Sequence, residues 1–81
     1  MTPRQHDTLN TIARYTLDHG FPPSIAEISM EMGVHTAATI RRIHALQAAG
    51  IIERDEGRAR TVRIKGNWTV HNGRTYREVI L

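Results

Sequence analysis

Ten arginines and one lysine carry the positive charge of this sequence, and nine of these eleven cations follow Gly33. That stretch holds four acidic residues, a local balance of +5, whereas residues 1–33 hold two cations and four acids, a balance of −2. A guanidinium is a planar fork of donors matched to phosphate oxygens and to guanine edges. A basic half on a small chain points to a polyanionic partner. Charge alone does not separate that reading from an Arg-rich solvated surface.

Residues for bond-making chemistry are sparse. There is no cysteine, hence no disulfide framework and no thiolate metal site. His6, His19, His35, His44 and His71 show no metal-type spacing such as H-E-x-x-H. Glu27 and Glu31 share a helical face, but carboxylates at that spacing are usually solvated. Ser24 reads as a helix cap and Ser29 lies mid-helix, and neither has an evident base. The expectation is a binding protein, not an enzyme, with no metal or cofactor.

A chain of 81 residues allows one small domain. Its 40% hydrophobic and 23% charged residues argue for a folded rather than a disordered chain. No run of about 18 apolar residues exists to span a membrane. The polar start Met1-Thr2-Pro3-Arg4 has no apolar h-region, so a cytoplasmic protein without membrane contact is expected.

The elements that must carry the arginines read in order. Thr2 caps a first helix with Pro3 at its first position and Gln5 three residues after the cap. Leu9, Ile12, Ala13, Thr16 and Leu17 recur at helical spacing as a buried face, and Gly20 ends the helix. Phe21-Pro22-Pro23 is a stiff connector. Ser24-Ile25-Ala26-Glu27 is a second capping box, and Ile25, Ile28 and Met32 share a face. Gly33 stops this helix, and a third runs from Thr36 to Ala49. Two helices joined by a turn at Gly33-Val34-His35 form a helix-turn-helix. Ile51–Arg54 and Thr61–Lys65 then read as strands of a hairpin, with Val62 and Ile64 alternating against polar neighbours. Asn72-Gly73 marks a second hairpin, Trp68–His71 with Arg74–Ile80. The fold class is therefore α+β: a winged helix-turn-helix over residues 1–66, followed by a hairpin extension at 67–81.

On a 3.6 period the third helix puts Ile40, Ile43 and Leu46 on the core stripe, with Thr36 and Thr39 beside them. Arg41 lies almost opposite, flanked by Ala37, Ala38, Ala45 and Ala48, with Arg42 and His44 at the margins. Small alanines let a backbone approach the major groove and touch thymine methyls, while Arg forks onto guanine. The other reading is an Ala-rich helix facing a protein chain. His35, Thr36, Ala37 and Ala38 sit at the helix N-terminus, which favours phosphate. The 54–63 loop adds Arg58 and Arg60, placed to reach a backbone or minor groove. Trp68 and Tyr76, on opposite arms of that hairpin, are expected to close a small core or a dimer contact, and Trp68, Val70 and Tyr76 are the candidates for dimerisation.

Gly20-Phe21-Pro22-Pro23-Ser24-Ile25-Ala26-Glu27-Ile28 resembles the G-[FYM]-P-P-[ST]-x-x-E-I segment of the LexA repressor DNA-binding domain. Arg4-Gln5, Met32-Gly33-Val34, Ala45-Leu46 and Gly50-Ile51-Ile52-Glu53-Arg54 continue the likeness, which covers about residues 2–65. The resemblance implies a winged helix-turn-helix that binds double-stranded operator DNA as a homodimer on a two-fold site, most often as a repressor. Between Gly33 and Leu46 this chain is one residue shorter than that pattern, and His35-Thr36-Ala37-Ala38 replaces a Ser/Asn-rich turn. The base preference of the family therefore does not transfer. No Ala-Gly cleavage site follows the wing and no Ser–Lys dyad can be assembled, so autocleavage is not expected. The rival expectation is a protein-interaction module on the same fold, with the Ala–Arg face docking a protein partner.

Overall fold

Thr2 and Gln5 start the first helix, α1 (Pro3–His19), by mutual satisfaction of donors. The Gln5 N–H donates to Thr2 Oγ1 at 3.1 Å, and the Thr2 N–H donates to Gln5 Oε1 at 3.1 Å. Ser24 and Glu27 repeat the device at α2 (Ile25–Met32). Each helix ends on a left-handed glycine, Gly20 (φ +78°) and Gly33 (φ +65°), a conformation side-chain-bearing residues avoid. Helix α3 (Thr36–Ala48) begins at His35, whose side chain makes no capping bond. The computed structural model describes residues 2–77.

Strands β1 (Ile52–Glu53) and β2 (Arg63–Ile64) pair antiparallel, Ile52 opposite Ile64 and Glu53 opposite Arg63. They are shorter than the runs expected from the sequence. The Lys65 N–H still donates to the Ile51 carbonyl at 2.9 Å, but beyond Glu53 the chain is taken over by the Thr61 hydroxyl. It accepts from the Asp55 N–H at 2.9 Å and lies 3.1 Å from the Asp55 and Arg58 carbonyls. The wing is thus a stapled loop on a two-residue ladder.

Strands β3 (Trp68–His71) and β4 (Arg74–Arg77) form the second hairpin, with Asn72 (φ +51°) and Gly73 (φ +76°) both left-handed, as a two-residue turn requires. The expected continuation of its second arm to Ile80 lies outside the described residues.

The core joins Leu9, Ile12 and Ala13 of α1, Ile28 of α2, Ile43 and Leu46 of α3, and Ile52, Val62 and Ile64 of the wing. Departures from the helical-face reading fall in both α1 and α3. Leu17 is 62% exposed, because it lies roughly 140° around the helix from Ile12. Thr8 is fully buried instead, its hydroxyl donating to the Arg4 carbonyl at 2.9 Å. In α3 Thr39 is buried, Ile40 half-buried and Thr36 exposed, so the core stripe is centred on Thr39, Ile43 and Leu46. The Ser29 and Thr39 hydroxyls meet at 2.7 Å and tie α2 to α3 inside the core. No helix among the described residues is long and apolar enough to cross a membrane.

Candidate nucleic-acid interface

Packing of Thr39, Ile43 and Leu46 inward turns the opposite side of α3 to solvent. Ala37, Arg41, His44 and Ala48 are exposed; Ala38, Arg42 and Ala45 are half-buried. Beside them lies the first turn of α1. Thr2, Arg4 and Gln5 meet Ala38, Arg41, Arg42 and Ala45 across a shallow groove of about 260 Å³. Three guanidiniums therefore border one concave strip with no acidic side chain in its lining. Among the described residues Arg4, Arg41 and Arg42 make neither an ion pair nor a side-chain hydrogen bond. Leaving three like charges together unneutralised favours an external anion.

Arg4 was legible in the sequence as part of a helix start, not as part of this strip. Its proximity to α3 depends on how α1 crosses that helix, and no local motif encodes the crossing. His35 and Thr36 lie on the other flank of α3, where they border a second shallow groove with Gly33, Val34 and Met30. The residues singled out at the start of α3 thus surround its N-terminus instead of lining one pocket.

The wing sorts its cations by partner. Arg63 is held by Glu53 (3.0 Å) and Asp55 (3.5 Å) and donates to the Thr61 carbonyl at 2.9 Å. Arg60 turns back onto the helices: its guanidinium pairs with Glu27 at 2.7 Å and lies 4.9 Å from the centre of the Phe21 ring. Arg58 is exposed and unpaired among the described residues. Arg54 is half-buried, with its Nε enclosed and unpartnered. Of Arg58 and Arg60, the two expected to reach a nucleic-acid backbone, Arg58 is presented outward and Arg60 is engaged within the domain.

A LexA DNA-binding domain model matches residues 1–61, which run from α1 through β1 into the wing. The chain belongs to the LexA DNA-binding domain family. It is 38% identical over 80 residues to the LexA repressor of Thermobifida fusca, covering 98% of this chain and 31% of that protein. It is 43% identical over 67 residues to the LexA repressor of Pseudomonas aeruginosa strain PAO1, covering 82% and 33%. The chain thus spans about a third of the length of the curated relatives it matches. The winged-helix architecture expected of a LexA-type domain is the one observed, with both helix-capping boxes and the Gly33 turn in place.

The second hairpin lies beyond the residues matched by the LexA domain model. It packs on α1, where the Thr75 N–H donates to Asn10 Oδ1 at 2.7 Å and Thr75 is buried. Trp68 and Val70 are half-buried against the domain's own core. Tyr76, paired across the ladder with Thr69, is 50% exposed. The three residues expected to dimerise therefore divide: two extend this domain's core, and Tyr76 is presented outward. Among the described residues no cluster of His, Asp and Glu is placed to hold a metal ion.

Proposed function

We propose that this protein is a sequence-specific double-stranded DNA-binding transcriptional regulator that represses by occupying its site. The arginine strip on α3 and the start of α1 carries this reading. The α3 face enters the major groove, where Arg41 reads a base edge and Ala37 and Ala38 permit close approach. His35 and Thr36 meet the groove wall at the helix N-terminus. Arg4 and Arg42 neutralise phosphates along the strip, and Arg58 neutralises another from the wing. Repression is suggested by the similar proteins, which are named LexA repressors. Such a regulator would work in the cytoplasm, by binding rather than by catalysis.

One domain offers few phosphate contacts, so a homodimer on a two-fold site is the proposed functional unit. Docking of a protein on the α3 face is less favoured, since a strip bordered by three guanidiniums, unpaired among the described residues and with no acid in its lining, suits a polyanion better. Selection of duplexes from a random pool at two salt concentrations tests the proposal. The expected product is an enriched sequence with two half-sites about 10 base pairs apart. Retention of no duplex at the lower salt would overturn it.

A further inference from the structure

Arg60 has a left-handed backbone (φ +60°), a conformation that a side-chain-bearing residue keeps where its surroundings over-determine it. Those surroundings are assembled from three distant parts of the chain. The Arg60 guanidinium pairs with Glu27, lies 3.3 Å from the Tyr15 hydroxyl and 3.5 Å from the Pro22 carbonyl, and stacks over Phe21. The Tyr15 hydroxyl donates to the second Glu27 oxygen. The His19 ring stacks on Tyr15 at 3.9 Å, which steadies the phenol. Glu27 also accepts from the Ser24 N–H at 2.9 Å as the third residue of α2. One carboxylate therefore joins the start of the helix-turn-helix to the return arm of the wing.

The connection continues to the wing tip. Thr61 follows Arg60 directly, and its hydroxyl contacts the Asp55 backbone and the Arg58 carbonyl. Fixing Arg60 fixes Thr61, and Thr61 fixes the turn that carries Arg58. We infer that Glu27, with Tyr15 and Arg60, is a positioning site that sets the wing against the helix-turn-helix and so delivers Arg58 to a DNA backbone. Arg60 then acts within the protein and not on phosphate. The inference rests on the DNA-binding reading for its functional half, while the latch itself is intramolecular.

Glu27→Gln isolates the charge. Glutamine at this position still accepts from the Ser24 N–H, so the capping box and helix start are retained. Simple electrostatics says that removing an acid beside a phosphate tightens binding. The latch requires the opposite sign: duplex affinity falls by about fivefold, the upper end for a part-exposed ion pair. Arg60→Ala should fall similarly, the double variant should be no weaker than either, and Glu27→Gln should have no effect in an Arg58→Ala background. Unchanged or tighter binding by Glu27→Gln, or additive losses in the double variant, overturns the inference. If the parent protein retains no duplex, the DNA-binding reading fails by itself. Amide hydrogen exchange over residues 55–61 then decides the latch: faster exchange in Glu27→Gln supports it, and unchanged exchange overturns it.

Discussion

The salt dependence of binding is a count of phosphates, and the structure predicts that count. Three unpaired guanidiniums are assigned to phosphate in each protomer: Arg4 and Arg42 on the strip and Arg58 on the wing. Each displaced counterion contributes a slope of about −0.9 to log K against log salt. One protomer should therefore show a slope of about −2.7, and a dimer about −5.4. Between 50 and 200 mM salt this corresponds to a loss of roughly 40-fold for the monomer and roughly 2,000-fold for the dimer. Arg58→Ala should flatten the slope by about 0.9 per protomer and weaken specific and random duplexes alike. Arg41→Ala should cost about 1–3 kcal/mol on the selected duplex and much less on random DNA, because a base contact carries the discrimination. Fluorescence anisotropy titrations of both duplexes across the salt range measure all these quantities. A parent slope flatter than about −1.5, or equal losses on both duplexes for Arg41→Ala, would refute the assignment.

Two predictions concern what holds the interface in shape. Ser29 has one hydroxyl proton, yet its oxygen lies 2.9 Å from the Ile25 carbonyl and 2.7 Å from Thr39 Oγ1. Ser29→Ala strands the buried Thr39 hydroxyl and should cost about 1–3 kcal/mol in urea unfolding, whereas Thr39→Val leaves Ser29 bonded to Ile25 and should cost about 1 kcal/mol or less. A larger loss for Thr39→Val would contradict this pairing. Glu27 is held down from 4.5 to about 2, first by the Tyr15 hydroxyl, then by the Ser24 backbone N–H and hydroxyl, with a smaller contribution from Arg60. A carboxylate depressed in the folded state stabilises fully above its unfolded value and loses that contribution as pH falls towards the folded one. The stability advantage of the parent over Glu27→Gln should thus be constant above pH 5, shrink as pH falls below 4.5 and be largely gone at about 2, where the folded carboxyl is half-protonated; an advantage undiminished at about pH 2 would refute the assignment.

What could be read in the sequence is what local chemistry fixes. Thr2-Pro3-Arg4-Gln5 and Ser24-Ile25-Ala26-Glu27 state their capping boxes within four residues, and Asn72-Gly73 states its turn within two. Periodicity placed Arg41 outward because Ile43 and Leu46 must point inward. Periodicity is weaker at the margin of a stripe, where Leu17 and Thr8 exchanged places. It is weaker still for Trp68 and Val70. Alternating apolar residues on a hairpin serve equally to cover a neighbouring chain or the domain's own helix, and the Asn10–Thr75 bond that selects the second outcome joins residues far apart in sequence.

The arginines show the same limit in its sharpest form. Arg58, Arg60 and Arg63 stand two and three residues apart in one wing, and composition gives them one meaning. Their acids distinguish them. Glu53 lies opposite Arg63 across the wing ladder, a cross-strand relation that the hairpin register implies, and Asp55 just beyond the ladder joins it in holding Arg63. Glu27 lies in another helix and takes Arg60, and this pairing exists only once α1, α2 and the wing have packed. Among the described residues Arg58 is left at the tip without an ion-pair partner. The charge available to a DNA backbone is therefore smaller than the basic residues in the wing suggest, but it is better directed. The two arginines with internal partners stiffen the loop that presents the third, and a loop already held in place loses less conformational freedom when its tip meets a phosphate.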